Sequence, residues 1–341
     1  MVVAFERIYK GLVAIALAGL CLGIAAAGAD SRLAIPNAAA QAKAERLVHD
    51  IFKKEYLDPQ NRLVFAATLF KNAVETNDDP AAKYVLFRES RDQAVALGEL
   101  EPALKASDAL GEAFAVNRAE NRMETLRKVW AAAPVNVAVA KPFIDLCLKS
   151  SEQSAGEEDF PVAGKYATLA EEFARKVRDT TAVARAREWN TLLRETAAEA
   201  EKARAAYKRL EAEPKNAEAK AAIAKWLCCW REDWNTGLPF LAASGDGPTA
   251  QLARRDIAGA ADSSAAFELA GAWWTFSEKA MHPWSTAAQA RAAYWYRKAA
   301  PLLTGLSKAL AEKRITEANE AVARNPKIRF SAKATGTTEA K

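Results

Sequence analysis

Residues 181–211 read TAVARAREWNTLLRETAAEAEKARAAYKRLE, a run dominated by Ala, Glu, Arg and Lys. These residue types lose least on entering a helix, so the stretch predicts one long charged helix ending before Pro214. Its few bulky residues, Trp189, Leu192, Leu193 and Tyr207, leave only a narrow packing stripe, as in a short coiled-coil-like contact. Working toward the N-terminus, Pro36, Pro59, Pro80 and Pro102 recur every 21–23 residues. Asp58-Pro59 and Asp79-Pro80 each read as an N-cap aspartate followed by proline at the first helical position. Apolar residues between these stops fall at helical spacing: Leu47 and Ile51, then Val48, Phe52 and Tyr56, then Leu63, Ala66, Phe70 and Ala73. Tyr84, Phe87 and Ala94 continue the pattern, Gly98 closes that helix, and Leu104, Leu110 and Phe114 belong to its partner.

No stretch after residue 30 sustains the period-two alternation of a strand. Of 15 glycines, four (Gly11, Gly19, Gly23, Gly28) precede residue 30, leaving the remainder glycine-poor against a usual frequency of roughly 7%. Sheets, hairpins and phosphate-binding loops draw on glycine for positive φ, so an all-α protein is expected and most nucleotide-binding folds are excluded. Toward the C-terminus, helices are expected over Ala219–Trp230, Thr236–Ala243, Ser264–Lys279, Ser285–Leu303 and Leu306–Ala323, with a loop over Ser244–Pro248. Helix pairs of about 34–40 residues, each too thin to bury its own face, predict a degenerate tetratricopeptide-like or Sel1-like array, an α-solenoid. The expected divisions are a leader (1–29), N-terminal helical hairpins (30–149), a polar linker (150–164), a Trp-rich repeat region (165–323) and a disordered tail (324–341).

The leader has a short positive start at Arg7 and Lys10, an uncharged apolar run from Gly11 to Ala27, and small residues at Ala27-Gly28-Ala29. That order is a secretory signal peptide with a cleavage choice after Ala29. The competing reading is an uncleaved anchor, since a run of about 17 apolar residues is at the lower limit for a bilayer span. Either way the chain is expected outside the cytoplasm, periplasmic or extracellular, touching a membrane only through this segment. Beyond Cys21, three cysteines remain, Cys147, Cys228 and Cys229; with no C-x-x-C spacing they read as buried free thiols.

The formal charge is +5, from 48 basic and 43 acidic residues interspersed without long runs of one sign, so the charges read as solvated helix faces and nucleic acid is not an expected partner. The two histidines, His49 and His282, have no sequence neighbours at metal-ligand spacing; His49, beside Glu45 and Lys53, reads as solvent-facing. No H-E-x-x-H, G-x-S-x-G or P-loop occurs. No catalytic residue, metal or cofactor is therefore expected.

Tryptophan is the real concentration: seven of nine lie between Trp226 and Trp295. Trp226 and Trp230 share a helix face, whereas adjacent Trp273 and Trp274 cannot. In one reading these rings knit thin repeats together. In the other, Trp234, Trp274, Trp284, Trp295 and Tyr294 form a surface that anchors a peptide or stacks on sugar rings.

Several tracts carry a family resemblance: Asp233-Trp234 with Gly237-Leu238-Pro239-Phe240-Leu241, Leu252-Ala253-Arg254-Arg255-Asp256-Ile257, Ala272-Trp273-Trp274, Arg291 to Ala299, and Leu302 to Lys308. With Ile35-Pro36-Asn37 near the start, the chain resembles a family of uncharacterised exported bacterial proteins built of tetratricopeptide-like helices. The resemblance implies an exported helical-repeat protein and no activity. The expectation is a non-catalytic scaffold for protein–protein interaction in the cell envelope, with a carbohydrate- or cell-wall-binding module using the Trp cluster as the alternative.

Overall fold

The computed structural model describes residues 31–134, 136–325 and 327–330. The expected signal peptide lies outside the described residues, as does the expected tail beyond residue 330. Among the described residues there are fifteen α-helices, and the isolated extended pairing is one parallel bridge between Leu33 and Phe114. The protein is all-α. None of the described helices is long and apolar enough to cross a membrane. The described chain forms two compact units, one of residues 31–151 and 161–189, the other of 152–160 and 190–330.

The first unit contains α1 (Ala38–Ile51), the short α2 (Lys53–Tyr56), α3 (Arg62–Glu75), α4 (Pro80–Ala96), α5 (Leu100–Ala113) and α6 (Arg118–Ala132). It also holds most of α7 (Val137–Gly156) and α8 (Phe160–Lys176), and the start of α9 (Thr180–Ala212). Short polar side chains set the helix starts by accepting otherwise orphaned N–H groups. Asp79 accepts from the amides of Ala81 (2.9 Å) and Ala82 (3.0 Å) with Pro80 at the first position. Asn37 and Asn117 cap α1 and α6 in the same way. Asp58-Pro59 differs from the expectation: Asp58 accepts from Gln60 N at 2.9 Å and Asn61 Nδ2 at 2.8 Å, closing a turn. Helix α3 therefore begins only at Arg62. Gly98 ends α4 at φ 74°, the left-handed conformation that favours glycine.

Two hydrophobic clusters fill this unit. Val48, Phe65, Leu69, Phe87 and Phe114 form one, flanked by Phe52 and Tyr56. Leu47 and Ile51 stay exposed, so of the two α1 faces the Val48 face is the packed one. The second cluster centres on Trp130, Phe143 and Phe173, with ring centroids 4.8–5.6 Å apart. Such ring pairs each contribute about 0.5–1.5 kcal/mol beyond area burial.

The expected polar linker at 150–164 is corrected. Helix α7 runs through to Gly156 and α8 starts at Phe160, so only Glu157–Asp159 is non-helical. Serine and glycine make this stretch look loop-like by composition. Yet Ser151 is fully buried: it donates to the carbonyl of Ala163 at 2.6 Å and accepts from Trp189 Nε1 at 2.8 Å. The small side chain admits a close helix approach, and the hydroxyl satisfies an indole that would otherwise be buried unpaired.

The second unit continues α9 and adds α10 (Ala217–Lys225), a π-turn (Trp226–Trp230), α11 (Trp234–Ala242), α12 (Pro248–Ala258), α13 (Ser263–Lys279), α14 (Trp284–Ala299), a 3₁₀ turn (Ala300–Leu302) and α15 (Gly305–Arg324). Consecutive helices pack, α13 on α14 and α14 on α15. The α9 stripe is built from Leu193, Thr196, Ala200, Ala203 and Leu210, mostly small residues at three- and four-residue steps. Helix α12 has no counterpart in the sequence expectation, which passed from the Ser244–Pro248 loop straight to α13. Pro248 is its first residue, and Ala250, Leu252, Ala253 and Asp256 form its buried face.

Candidate functional site

The second unit's aromatic cluster is organised around one carboxylate. Asp256, on the buried face of α12, has a side chain with no exposure to solvent. A charge in that position costs heavily unless it is paired and hydrogen-bonded. Four donors reach it. Arg291 of α14 clamps it through Nε to Oδ2 at 2.8 Å and Nη2 to Oδ1 at 2.5 Å. Trp273 of α13 donates its indole N–H to Oδ2 at 2.6 Å, and Trp295 of α14 donates to the same oxygen at 3.0 Å. Arg291 and Trp295 are one helical turn apart, so α14 presents both to the same partner.

The outer side of Arg291 forms part of a groove. Its guanidinium lies 4.4 Å from the Tyr294 ring centroid and 5.3 Å from that of Trp234. Asp233 fixes Trp234 by capping α11, accepting from Thr236 N at 3.0 Å. Trp234 also meets Trp273 edge-on at 5.3 Å and Trp284 at 6.5 Å. The resulting open cavity of about 420 Å³ is lined by Trp234, Arg291 and Tyr294, with Glu232, Asn235 and Lys327 at its polar side. Glu232 holds φ 58°, a conformation that side-chain-bearing residues rarely adopt, and its carboxylate accepts from Lys327 Nζ at 3.0 Å.

The π-turn supports this wall. All five residues of Trp226-Leu227-Cys228-Cys229-Trp230 are buried, and the Arg231 amide closes the turn on the Trp226 carbonyl at 3.1 Å. Cys228 reaches the groove, and a Cβ on Gly237 would collide with its Sγ, so glycine is required there for close packing. Cys147, Cys228 and Cys229 are unpaired and buried. Burial pushes the Cys147 thiol up to about 12 and holds Cys228 and Cys229 well above the ordinary thiol range. These are inert thiols.

The expected surface at Trp234, Trp274, Trp284, Trp295 and Tyr294 is only partly a surface. Trp234 and Tyr294 line the groove, and Tyr294 is 39% exposed. Trp295 is buried on Asp256. Trp274 is buried as well, covered by Arg314 at 4.1 Å, with its indole donating to Glu278 at 2.9 Å. Trp284 packs edge-on against Trp234 and Phe276. Sequence reasoning missed Asp256 and Arg291. The available signal was an acidic residue at helical spacing from Leu252 and Ala253, on an otherwise apolar face.

A second cluster lies in the first unit. Glu45 and His49, one turn apart on α1, meet Glu89 of α4, and their ligand atoms all lie within 4.8 Å of one another. The sequence placed no carboxylate pair around His49 because Glu89 comes from another helix; His49 itself is exposed, as expected. Arg88 already supplies a cation there, its Nη2 lying 2.9 Å from Glu45 and 3.3 Å from Glu89. Tyr56 donates to Glu89 at 3.1 Å and stacks on His49 at 4.1 Å. Burial and the Glu89 carboxylate raise the Tyr56 phenol above its ordinary value. These residues could hold a divalent ion only with Arg88 displaced. His282, the other histidine, is exposed, with its ring 6.3 Å from Trp230.

The fold and the groove together define an all-α protein with an aromatic, cation-bearing cleft. Compared with known proteins, the chain matches no protein-family model, no curated protein and no solved structure.

Proposed function

We propose that this chain is an exported, non-catalytic helical-repeat scaffold that binds an extended segment of a protein partner in the cell envelope. The observation that carries this reading is the groove at Trp234, Arg291 and Tyr294, held in place from beneath by Asp256. Trp, Tyr and Arg are the residues that dominate binding energy at protein interfaces, and a locked guanidinium loses little freedom on binding. With four donors on it, Asp256 acts as a brace. A tetratricopeptide-like or Sel1-like array is supported by successive packed helices joined by short turns. Export rests on the charge and apolar pattern of the leader, and kinship with exported helical-repeat proteins rests on the Trp-rich tracts.

The test is affinity capture from envelope extracts with the wild-type chain and a Tyr294→Ala/Asn235→Ala variant of unchanged helicity. A protein retained by the first and lost by the second supports the proposal. Identical captured sets, or turnover of a cell-wall polymer by the purified chain, overturn it. The second reading, a glycan-binding module, draws on the aromatic rings beside Asp233 and Asn235. Against it, Arg291 and Lys298 lie over the Tyr294 ring at 4.4 and 4.7 Å, where a sugar would stack.

A further inference from the structure

After α15 the chain leaves helical geometry, and residues 327–330 lie against the π-turn and the residues that follow it. Three anchors hold this segment. Lys327 pairs with Glu232 at 3.0 Å and is itself largely covered. Ile328 is buried. Phe330 packs edge-on against Trp226 at 5.4 Å, and its ring receives the Arg231 guanidinium at 4.9 Å. In an extended chain the first and last of these anchors stand roughly 10 Å apart. That is the pattern by which a groove reads a peptide, through side-chain pockets at fixed spacing along a stretched backbone.

One detail marks the resident segment as an imperfect occupant. The Arg231 side chain is 4% exposed and is held on one side by Glu158. Its Nη2 is nevertheless buried with no hydrogen-bond partner, as is the indole N–H of neighbouring Trp230. Phe330 offers Arg231 a ring face and no acceptor. A peptide that set a carbonyl or carboxylate oxygen there would gain a charge-assisted bond that the resident segment does not make. The seat is also continuous with the open groove, because Glu232 and Lys327 line both.

We propose that the seat of Lys327–Phe330 is a peptide-docking groove, occupied at rest by the chain's own C-terminal segment. Its partner is an extended peptide carrying a cationic residue three positions before an aromatic one. This deepens the scaffold reading and rests on it. The tethered segment competes at an effective concentration on the order of 1 mM. A free peptide of about 50 μM intrinsic affinity is then weakened about twentyfold by the resident segment.

The experiment uses the full chain and a fluorescein-labelled peptide of sequence NPKIRFSA, residues 325–332. In a Lys327→Glu/Phe330→Ala variant the resident segment is weakened, and anisotropy titration should show tens-of-micromolar binding, at least tenfold tighter than to the wild type. Adding Glu232→Lys should abolish binding, and a peptide with glutamate in place of its lysine should restore it. No binding to the helical, weakened variant overturns the proposal, as does equal binding to both chains or indifference to Glu232→Lys. Failure here with Tyr294-dependent partner capture intact overturns the docking seat alone; failure of both overturns the scaffold reading too.

Discussion

Replacing Asp256 with Asn tests the brace directly, because the two side chains have nearly the same shape. Three of the four donors end on Oδ2, from Trp273, Trp295 and Arg291 Nε, and one ends on Oδ1, from Arg291 Nη2. An asparagine oriented with its oxygen at the Oδ2 position keeps three bonds but turns its NH₂ toward Arg291 Nη2, donor against donor. More important, Arg291, whose side chain is 10% exposed, loses its counter-charge. Breaking a buried pair from one side costs about 3–5 kcal/mol, out of a total stability of about 5–15 kcal/mol. For a unit of this size each kcal/mol moves the melting temperature by about 2–4 °C, giving a loss of about 6–20 °C. Calorimetry reads the shift, and near-UV circular dichroism reports Trp273 and Trp295. A double-mutant cycle with Arg291→Met separates charge from shape: once both charges are gone, nothing remains uncompensated, and the double variant should be more stable than Asp256→Asn alone. If Asp256→Asn costs under about 1 kcal/mol, or the two losses simply add, the brace argument is wrong.

Gly237→Ala places a methyl group on Cys228 Sγ and should cost about 1–3 kcal/mol in urea unfolding, with much of the loss recovered in a Gly237→Ala/Cys228→Ala chain. Arg88→Ala empties the cation position between Glu45, His49 and Glu89. Millimolar Zn²⁺ should then raise the melting temperature of that variant and leave the wild type unmoved; equal responses would count against the assignment. On acidification, Asp145 (bonded by Lys141 and Arg185) and Glu171 (bonded by Arg187 and Arg175) have carboxyls held below their ordinary values in the folded chain. Their contribution to stability is therefore complete above the unfolded values of about 3.9 and 4.3 and is lost as pH falls through the lower folded ones. Urea midpoints should stay flat from pH 7 to about 5 and fall below that, and a midpoint that rises on acidification would contradict the sign.

What could be read from the sequence was local. Helix α9, expected over 181–211 and found at Thr180–Ala212, announces itself through composition and the proline that follows it. Asp79-Pro80 starts a helix through contacts within three residues. Asp58-Pro59 carries the same signature but spends its carboxylate on a turn, a choice made by the side chains of residues 60 and 61. Composition misled at 150–164, where serine reads as loop until a distant indole and carbonyl claim its hydroxyl. The candidate site was half visible. The tryptophan concentration pointed to the right region, and adjacent Trp273 and Trp274 do serve different neighbours, Asp256 and Arg314. The centre was hidden because Asp256 finds partners up to 39 residues away, and no spacing rule links positions brought together by packing three helices.

The π-turn at Trp226–Trp230 has a consequence for how this chain tolerates changes of length. A π-turn holds one residue more than an α-turn between the same hydrogen-bonded ends. It therefore behaves as an insertion already absorbed into a helix, and its five buried side chains line the wider loop that results. Excising a single position there would restore a regular coil and swing everything downstream by about 100°. Trp234 and Asp233 would then face away from Arg291. An indel elsewhere on an exposed helix surface trims or lengthens a turn; here the genetic reading frame and the aim of the binding cleft are tied to the same five residues.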